Sequence, residues 1–503
     1  MVRIYFMKTC PSQLCILSGS ALFWLLGLYP VTAQIVPDRT LTNNSIVTPN
    51  GNRSIITGGT QAGRNLFHSF RDFSVPNNSE AFFNNLPDIQ NIITRVTGGS
   101  ISTINGSIRA NSANLFFINP NGIMFGANAS LNIGGSFVAS TASSIRFADG
   151  TEFSAINPQA TPLLTVSVPI GLQFGSNPGD IVNQSQASIN INGSNSNGLN
   201  SNGSPAGLQV PDGKTLALVG GNVSLDNGNL TAAGGRIELG SVETGLVNLT
   251  QTPQGYAVGY AGIQNGRDIQ LSGAARVDAS GMGGGAIQLT GRNINLTDNA
   301  QIFSTTQGAL TGGNLTVEAA ESVNLSGNNT RLFTATSGTG SAGNLELTTR
   351  SLRVEGGAAI FSQTLGTGTG GNLTVDAAES VNLSGNNTQL STATSGNGSA
   401  GNLQFTTRSL TVEGGAAILS QTLGTGRGGN LTVDAAESVN LSGNNTQLST
   451  ATSGNGSAGN LQFTTRSLRV DGGAIFSSTL GTGRGGNLTV DAAESVNLSG
   501  NNT

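Results

Sequence analysis

The sequence predicts an all-β protein, a right-handed parallel β-helix (a solenoid) with an N-terminal capping domain. Of its 503 residues, 73 are glycine and only 10% are charged. Short apolar runs alternate with a period of two, as half-buried strands require, and Gly, Asn and Ser separate these runs as turn residues do. A block of sequence also recurs in the second half of the chain, which is typical of solenoids.

Residues 1–33 are predicted to be a signal peptide that directs the chain into the general secretory machinery. Arg3 and Lys8 form a basic start, Ile16–Leu28 is mostly apolar, and small residues precede a cleavage site between Ala33 and Gln34. A membrane anchor is the alternative, but the apolar stretch is shorter than the roughly 20 residues that a spanning helix needs.

Cleavage would remove Cys10 and Cys15, so that the mature chain has no disulfide, and would change the formal net charge from −4 to −6. Lys214 is then the only lysine. The mature chain has no strongly basic face, and nucleic acid is not expected as a partner.

The mature chain is predicted to have three parts. Residues 34–160 are varied and rich in Phe and are expected to cap the solenoid; residues 161–262 continue the β-helix and contain a Ser/Asn/Gly-rich loop at 183–207; residues 263–503 are repeats. Because the repeats run to Thr503 without a different terminal sequence, the chain is expected to be truncated at its C-terminus.

The repeat is defined by Gly313-Asn314-Leu315-Thr316-Val317, which recurs at spacings of 58, 58 and 57 residues, with half-repeats of 28 to 30 residues. Three alternating runs in each half-repeat predict one three-stranded coil, and seven whole coils are expected between residues 285 and 485. Leucine-rich repeats are disfavoured because their leucine spacing is missing. In the half-repeat from residue 429, the predicted inward residues are Leu431, Val433, Val439, Leu441 and Leu448.

The 57-residue unit lacks one residue, since Gly472-Gly473-Ala474-Ile475 replaces Gly414-Gly415-Ala416-Ala417-Ile418. A deletion within a strand would turn every later side chain to the opposite face. We therefore predict that the deletion lies in a turn.

Residues 35–150 resemble the secretion domain of the filamentous haemagglutinin family, the exported partners of two-partner secretion. The resemblance depends on four stretches in the same order: Asn65-Leu66-Phe67-His68-Ser69-Phe70, Arg95-Val96-Thr97-Gly98-Gly99, Asn119-Pro120-Asn121-Gly122-Ile123 with Leu115–Ile118 before it, and Gly134–Ser140. A second family box, Asn-Pro-Asn-Leu, is replaced by Val75-Pro76-Asn77-Asn78 in a comparable region.

The resemblance implies a β-helical secretion domain that an outer-membrane transporter with periplasmic docking domains recognises. It identifies Asn119, Pro120, Asn121, Gly122 and Ile123 as the secretion motif. Proline fixes φ and Asn-Gly tolerates a positive φ, so this motif is expected to shape a turn. We favour that conformational role over direct recognition of its side chains.

Other motifs are interpreted structurally. Gly-x-Gly-x-x-Gly at residues 366, 424 and 481 precedes a strand and not a helix, and Gly213-Lys214-Thr215 lacks the upstream glycine of a phosphate loop. The Asp residues of the repeats are too sparse for a calcium roll, and His68, between two Phe residues, is expected to be structural. Asn-x-Thr triplets recur with the repeat, and no sugar, metal or cofactor is predicted.

The favoured function is a non-enzymatic haemagglutinin-like exoprotein, outside the cell or on its surface after export through the periplasm of a two-membrane bacterium. It would be an adhesin for a cell-surface glycan or protein, or an extracellular structural protein. Two alternatives stay open: the stalk of a contact-dependent inhibition toxin without its toxin domain, and a β-helical polysaccharide-acting enzyme.

Overall fold

The computed structural model describes residues 34–158, 164–188, 207–253, 255–263, 265–501 and 503. The predicted signal peptide (1–33), including Ala33 of its cleavage site, and residues 189–206 of the predicted loop lie outside this set. The described residues form 41 strands and no helix, arranged as a parallel solenoid of about 15 turns. None of these residues belongs to a helix that could span a membrane.

The strands fall into three groups along the chain. The first group is β1 (Ile35–Pro37), β2 (Ser45–Asn50), β3 (Arg53–Gly58), β4 (Thr60–Ala62), β5 (Asn65–Phe73), β6 (Glu80–Phe83), β7 (Asn91–Val96), β8 (Ser102–Ile104), β9 (Ser107–Ala110), β10 (Asn114–Ile118), β11 (Ile123–Phe125), β12 (Ser130–Asn132), β13 (Phe137–Ser140), β14 (Ser144–Phe147) and β15 (Glu152–Ser154). The second group is β16 (Pro169–Phe174), β17 (Ile181–Asn183), β18 (Leu208–Gln209), β19 (Thr215–Gly220), β20 (Val223–Asp226), β21 (Asn229–Thr231), β22 (Arg236–Ser241), β23 (Gly245–Thr252) and β24 (Gly255–Gly259). The third group is β25 (Ile269–Ser272), β26 (Arg276–Asp278), β27 (Ala286–Leu296), β28 (Gln301–Thr306), β29 (Leu315–Ser326), β30 (Arg331–Thr336), β31 (Leu345–Glu355), β32 (Ala359–Thr364), β33 (Leu373–Ser384), β34 (Gln389–Thr394), β35 (Leu403–Glu413), β36 (Ala417–Thr422), β37 (Leu431–Ser442), β38 (Gln447–Thr452), β39 (Leu461–Asp471), β40 (Ala474–Thr479) and β41 (Leu488–Ser499).

Each coil of the repeats consists of one long and one short strand, where the sequence predicted three separate strands. In β37 the first two predicted runs form one continuous strand, and the register against β39 is irregular between Ala435 and Ser438. The backbone stays extended around this corner, because the residues between the runs keep most of their ladder partners. Seven such long–short pairs, β27/β28 to β39/β40, occupy residues 286–479, as predicted.

Alternation fills the interior of the coils, as the sequence predicted. The inward residues of β37 and β38 are at most 1% exposed. Their outward neighbours are half-buried or exposed in β37, whereas in β38 the outward Ser449 is also buried. Each inward residue stacks on its equivalents in the adjacent coils: Leu403 pairs with Leu431, and Leu431 pairs with Leu461. The result is one continuous apolar core, in which every coil covers the apolar face of the next.

Polar ladders and glycines fix the distance between coils. The Asn430 N–H donates to Asn402 Oδ1 at 2.9 Å, and the Asn460 N–H donates to Asn430 Oδ1 at the same distance. At the neighbouring turn, a Cβ on Gly426 would collide with the carbonyl oxygen of Gly398. The turns therefore stack closely enough to require glycine at this position.

The register confirms the predicted place of the one-residue deletion. Strand β40 pairs with β38 from Gln447↔Ala474, in the same six-position register in which β36 pairs with β34 from Gln389↔Ala417. The missing residue belongs to the turn at 472–473, and every strand residue after it keeps its face.

Antiparallel strands close the N-terminal end of the solenoid. Strands β1 and β4 pair antiparallel with β5, and β2 pairs antiparallel with β3. They cover the first parallel strands, whose open edge would otherwise be free to pair with another chain.

A second layer lies on one outer face of the solenoid. Strands β14, β15, β16, β23 and β24 form an antiparallel sheet. Its apolar side packs on outward residues of the solenoid in a separate core. The predicted boundary after residue 160 falls within the stretch that forms this sheet.

Candidate functional site

The predicted secretion motif, Asn119–Ile123, forms a tight turn between β10 and β11. The Gly122 N–H donates to the Asn119 carbonyl at 3.1 Å, and the Asn121 N–H donates to Asn119 Oδ1 at 3.0 Å. Pro120 occupies the second position, where its fixed φ is favourable. All five residues of the motif are described, and among them Gly122 has a positive φ (128°). The sequence suggested that Asn121 and Gly122 both tolerate a positive φ, but only Gly122 adopts one.

The side chains of the turn bind the preceding coil. Asn119 is fully buried, and its Nδ2 donates to the Ser100 carbonyl at 3.0 Å and to Ser102 Oγ at 2.9 Å. Asn121 Nδ2 donates to the Gly98 carbonyl at 2.6 Å. These contacts join the motif to the end of Arg95–Gly99, which is another of the stretches that carry the family resemblance.

The backbone of the turn binds the following coil. The Gly179 N–H donates to the Pro120 carbonyl at 2.8 Å, and the Ile123 N–H donates to the Asp180 carbonyl at 3.0 Å. The motif therefore holds three successive layers of the solenoid together. Its polar groups are largely used inside the molecule, which supports a conformational role.

Replacing Gly122 by Val is expected to reduce secretion severalfold, because a β-branched residue resists a positive φ. An added Cβ would also lie 3.2 Å from the Asp180 carbonyl oxygen and 3.3 Å from Ile101 Cγ2. Pro120→Ala should have a smaller effect in the same direction. The measurement is the secreted fraction in cells that contain the cognate transporter, with Lys214→Ala as the matched control.

Secretion that is insensitive to both turn changes would show that the motif does not determine export. His68, which lies outside the motif, is unsuitable as a second control. It is 1% exposed, its Nδ1 lies 2.9 Å from Ser45 Oγ, and burial lowers the pKa of His68 to about 3. It is an uncharged residue of the core in contact with Phe70 and Phe83.

A buried ion network lies beside the motif and was not predicted. Arg95 is 1% exposed; its Nε donates to Ser69 Oγ at 2.8 Å, Nη1 to the Ser154 carbonyl at 2.6 Å and Nη2 to Thr40 Oγ1 at 2.8 Å. Its guanidinium also lies 4.2 Å from the centre of the Phe153 ring. Burial lowers the pKa of Arg95 to about 10, so the group stays charged at neutral pH.

Asp38 completes this network. Burial alone would raise the pKa of Asp38, but hydrogen bonds from Ser69, Thr40 and Thr97 hold it below the ordinary value. The network joins the N-terminal cap, the solenoid and the second layer. The sequence did contain one sign of this network, namely a charged residue, Arg95, within the apolar run Ile92–Val96. An arginine in a buried strand requires hydrogen-bonding or charged partners.

The sequence motifs that are interpreted structurally lie in turns or on outer faces. Gly424–Gly429 forms a stacked turn before β37, and Lys214 is half-buried before β19. Asp376 and Asp434, two of the sparse Asp residues of the repeats, are exposed on the outer face.

Comparison with known proteins identifies the family of the chain. A family model described as "TPS secretion domain" matches residues 33–289, just over half of the chain. Among curated proteins, none matches this chain. A solved structure, the HMW1 secretion domain from Haemophilus influenzae, is similar with 16% sequence identity and a TM-score of 0.46, over 91% of this chain and 99% of that chain. The family match shows that the chain belongs to the filamentous haemagglutinin-like exoproteins of two-partner secretion.

Proposed function

We propose that the protein is a non-enzymatic adhesin or extracellular structural protein that acts outside the cell or on its surface. The observation that carries the proposal is the repetition of surface columns along seven successive coils. For example, outward Thr374, Gln404, Thr432 and Gln462 stand in one column on successive coils. A surface that repeats along its axis can bind a repetitive glycan or protein through many weak contacts at once.

The secretion domain implies export through the outer membrane by a two-partner secretion transporter. We further propose that the chain first enters the periplasm through the general secretory machinery by means of residues 1–33. There the periplasmic docking domains of the transporter would recognise residues within 34–160. In this proposal the turn at Asn119–Ile123 acts by fixing the surface that the transporter meets.

Removing residues 371–428 provides a test that separates binding from export. This deletion takes out β33 to β36, two whole coils, and joins residue 370 to residues 429–468, which are identical in sequence to residues 371–410. Secretion should be unchanged, because the family match ends at residue 289. Binding of the purified protein to host cells or glycan-coated surfaces should fall, because fewer equivalent contacts remain.

The control is a variant in which the same 58-residue unit is duplicated, and it should bind more strongly than the natural chain. Binding that does not change with the number of coils would exclude the repeats as the adhesive surface. Loss of secretion in the deletion variant would place export signals in the repeats and contradict the division of roles.

A further inference from the structure

Strand β24 lies across the outer face of the solenoid as the last strand of the second layer. Its inner edge pairs with β23, and its other edge meets solenoid side chains. The Tyr256 N–H donates to Thr215 Oγ1 at 3.1 Å, and that hydroxyl donates back to the Tyr256 carbonyl at 3.0 Å. The Val258 N–H donates to Glu238 Oε1 at 3.3 Å. This edge of β24 is thus held by one side chain from each of two adjacent coils, Thr215 on β19 and Glu238 on β22.

Glu238 is the unusual member of this contact. It points outward from β22, yet it is fully buried beneath the second layer. Its Oε1 also accepts from Arg236 Nη1 at 2.9 Å, whereas Oε2 is buried and has no hydrogen-bond partner among the described residues. Burying an ionised carboxylate with one oxygen lacking a hydrogen bond costs much more free energy than burying a neutral carboxyl group.

The charged and titratable groups around Glu238 come from three elements. Arg236 on its own strand attracts the charged form, and Glu318 on β29 opposes it. The Tyr260 phenol, just after β24, lies over Gly240, where a Cβ would collide with it, and its Oη is buried without a partner in the described chain. Burial outweighs the attraction of Arg236 and raises the pKa of Glu238 to about 7.

We propose that Glu238 is a pH-dependent clasp: neutral, it holds β24 against the solenoid, and charged, it loosens this strand. The direction of the pH dependence follows from the difference in the pKa of Glu238 between the closed and the open state. When β24 separates, water reaches the carboxyl, and its pKa returns towards the ordinary value of 4.5. The closed state is therefore favoured at low pH and loses stability as the pH rises from about 4.5 to about 7.

Opening of the clasp would expose the apolar side of the hairpin. Tyr256 and Val258 on β24 and Val247 and Leu249 on β23 are all buried in the second-layer core. The inference rests on these contacts and does not depend on the proposed adhesive function.

Hydrogen–deuterium exchange of the full mature protein tests the clasp. Peptides that cover residues 245–263 are followed between about pH 5 and about pH 8, with correction for the intrinsic pH dependence of exchange and with β35 as the internal reference. Their protection should fall at least about tenfold relative to β35 over this range. In Glu238→Gln, a neutral isostere, protection should be independent of pH and at least as high as in the natural protein at low pH.

The matched control is Glu243→Gln, which removes an exposed carboxylate next to the same hairpin. It should keep the full pH dependence of the natural protein. A flat profile in the natural protein, or an unchanged pH dependence in Glu238→Gln, would overturn the proposal. The first of these outcomes is decisive without any variant.

Discussion

Replacing Leu441 by Asp is expected to unfold the coils around β37. Leu441 is fully buried, and its ladder neighbours in the adjacent coils are Val412 and Val470. The substitution creates a cavity and places an unpaired charge in an apolar core, which together should cost at least about 4 kcal/mol. Because each coil is stabilised mainly by its neighbours, the effect should spread along the stack.

The measurement is urea unfolding followed by circular dichroism, combined with hydrogen exchange to locate the opened coils. Asn440→Asp is the matched control, since it introduces the same charge one residue away. Asn440 points outward, is half-buried and pairs with Arg469 of the next coil, but its Oδ1 is buried without a hydrogen-bond partner among the described residues. The change should therefore cost about 1–2 kcal/mol, well below the cost at Leu441. Similar losses for both variants would contradict the assignment of inner and outer faces.

A disulfide between adjacent coils is expected to block passage through the outer membrane. Thr432 and Gln462 are direct partners in parallel strands β37 and β39 and lie on the outer face. Cysteines at these positions are close enough for a disulfide and leave the core intact. The residues after the predicted cleavage site contain no cysteine, so no natural disulfide would hinder an unfolded chain.

Under oxidising periplasmic conditions the double-cysteine variant should accumulate in the transporter, with secretion reduced at least about tenfold. Added reductant should restore secretion. Each single-cysteine variant is the control and should be secreted normally. Normal secretion of a demonstrably oxidised variant would exclude passage as an extended chain.

The sequence predicted the repeats well because their signal is local and periodic. A period of two determines which of Leu431, Thr432 and Val433 faces inward, and the recurrence of 28 to 30 residues determines which residues stack. Comparison of the nearly identical units also located the deletion in the turn at 472–473. What the pattern did not reveal was the continuity of the long strands, because Ala435 to Ser438 contain none of the β-branched or aromatic residues that favour strands.

The motif at Asn119–Ile123 was recognisable because proline and glycine have restricted or unusual backbone preferences that depend on few neighbours. Its contacts with Gly98 and Asp180 could not be predicted from the sequence, since they join residues that are far apart in the chain. The same applies to Asp38 and Arg95, whose partners lie in the cap, the solenoid and the second layer.

By itself, the sequence determined the fold class, the faces of the repeat strands, the secretion family and the turn at the motif. The tertiary structure alone decided how the antiparallel cap closes the first coils, and that a five-stranded layer covers one outer face. It also decided that Glu238, which alternation places on the outside, is buried beneath that layer. The physical reason is that alternation reports on which side of a strand a residue lies, whereas burial depends on what packs against that side.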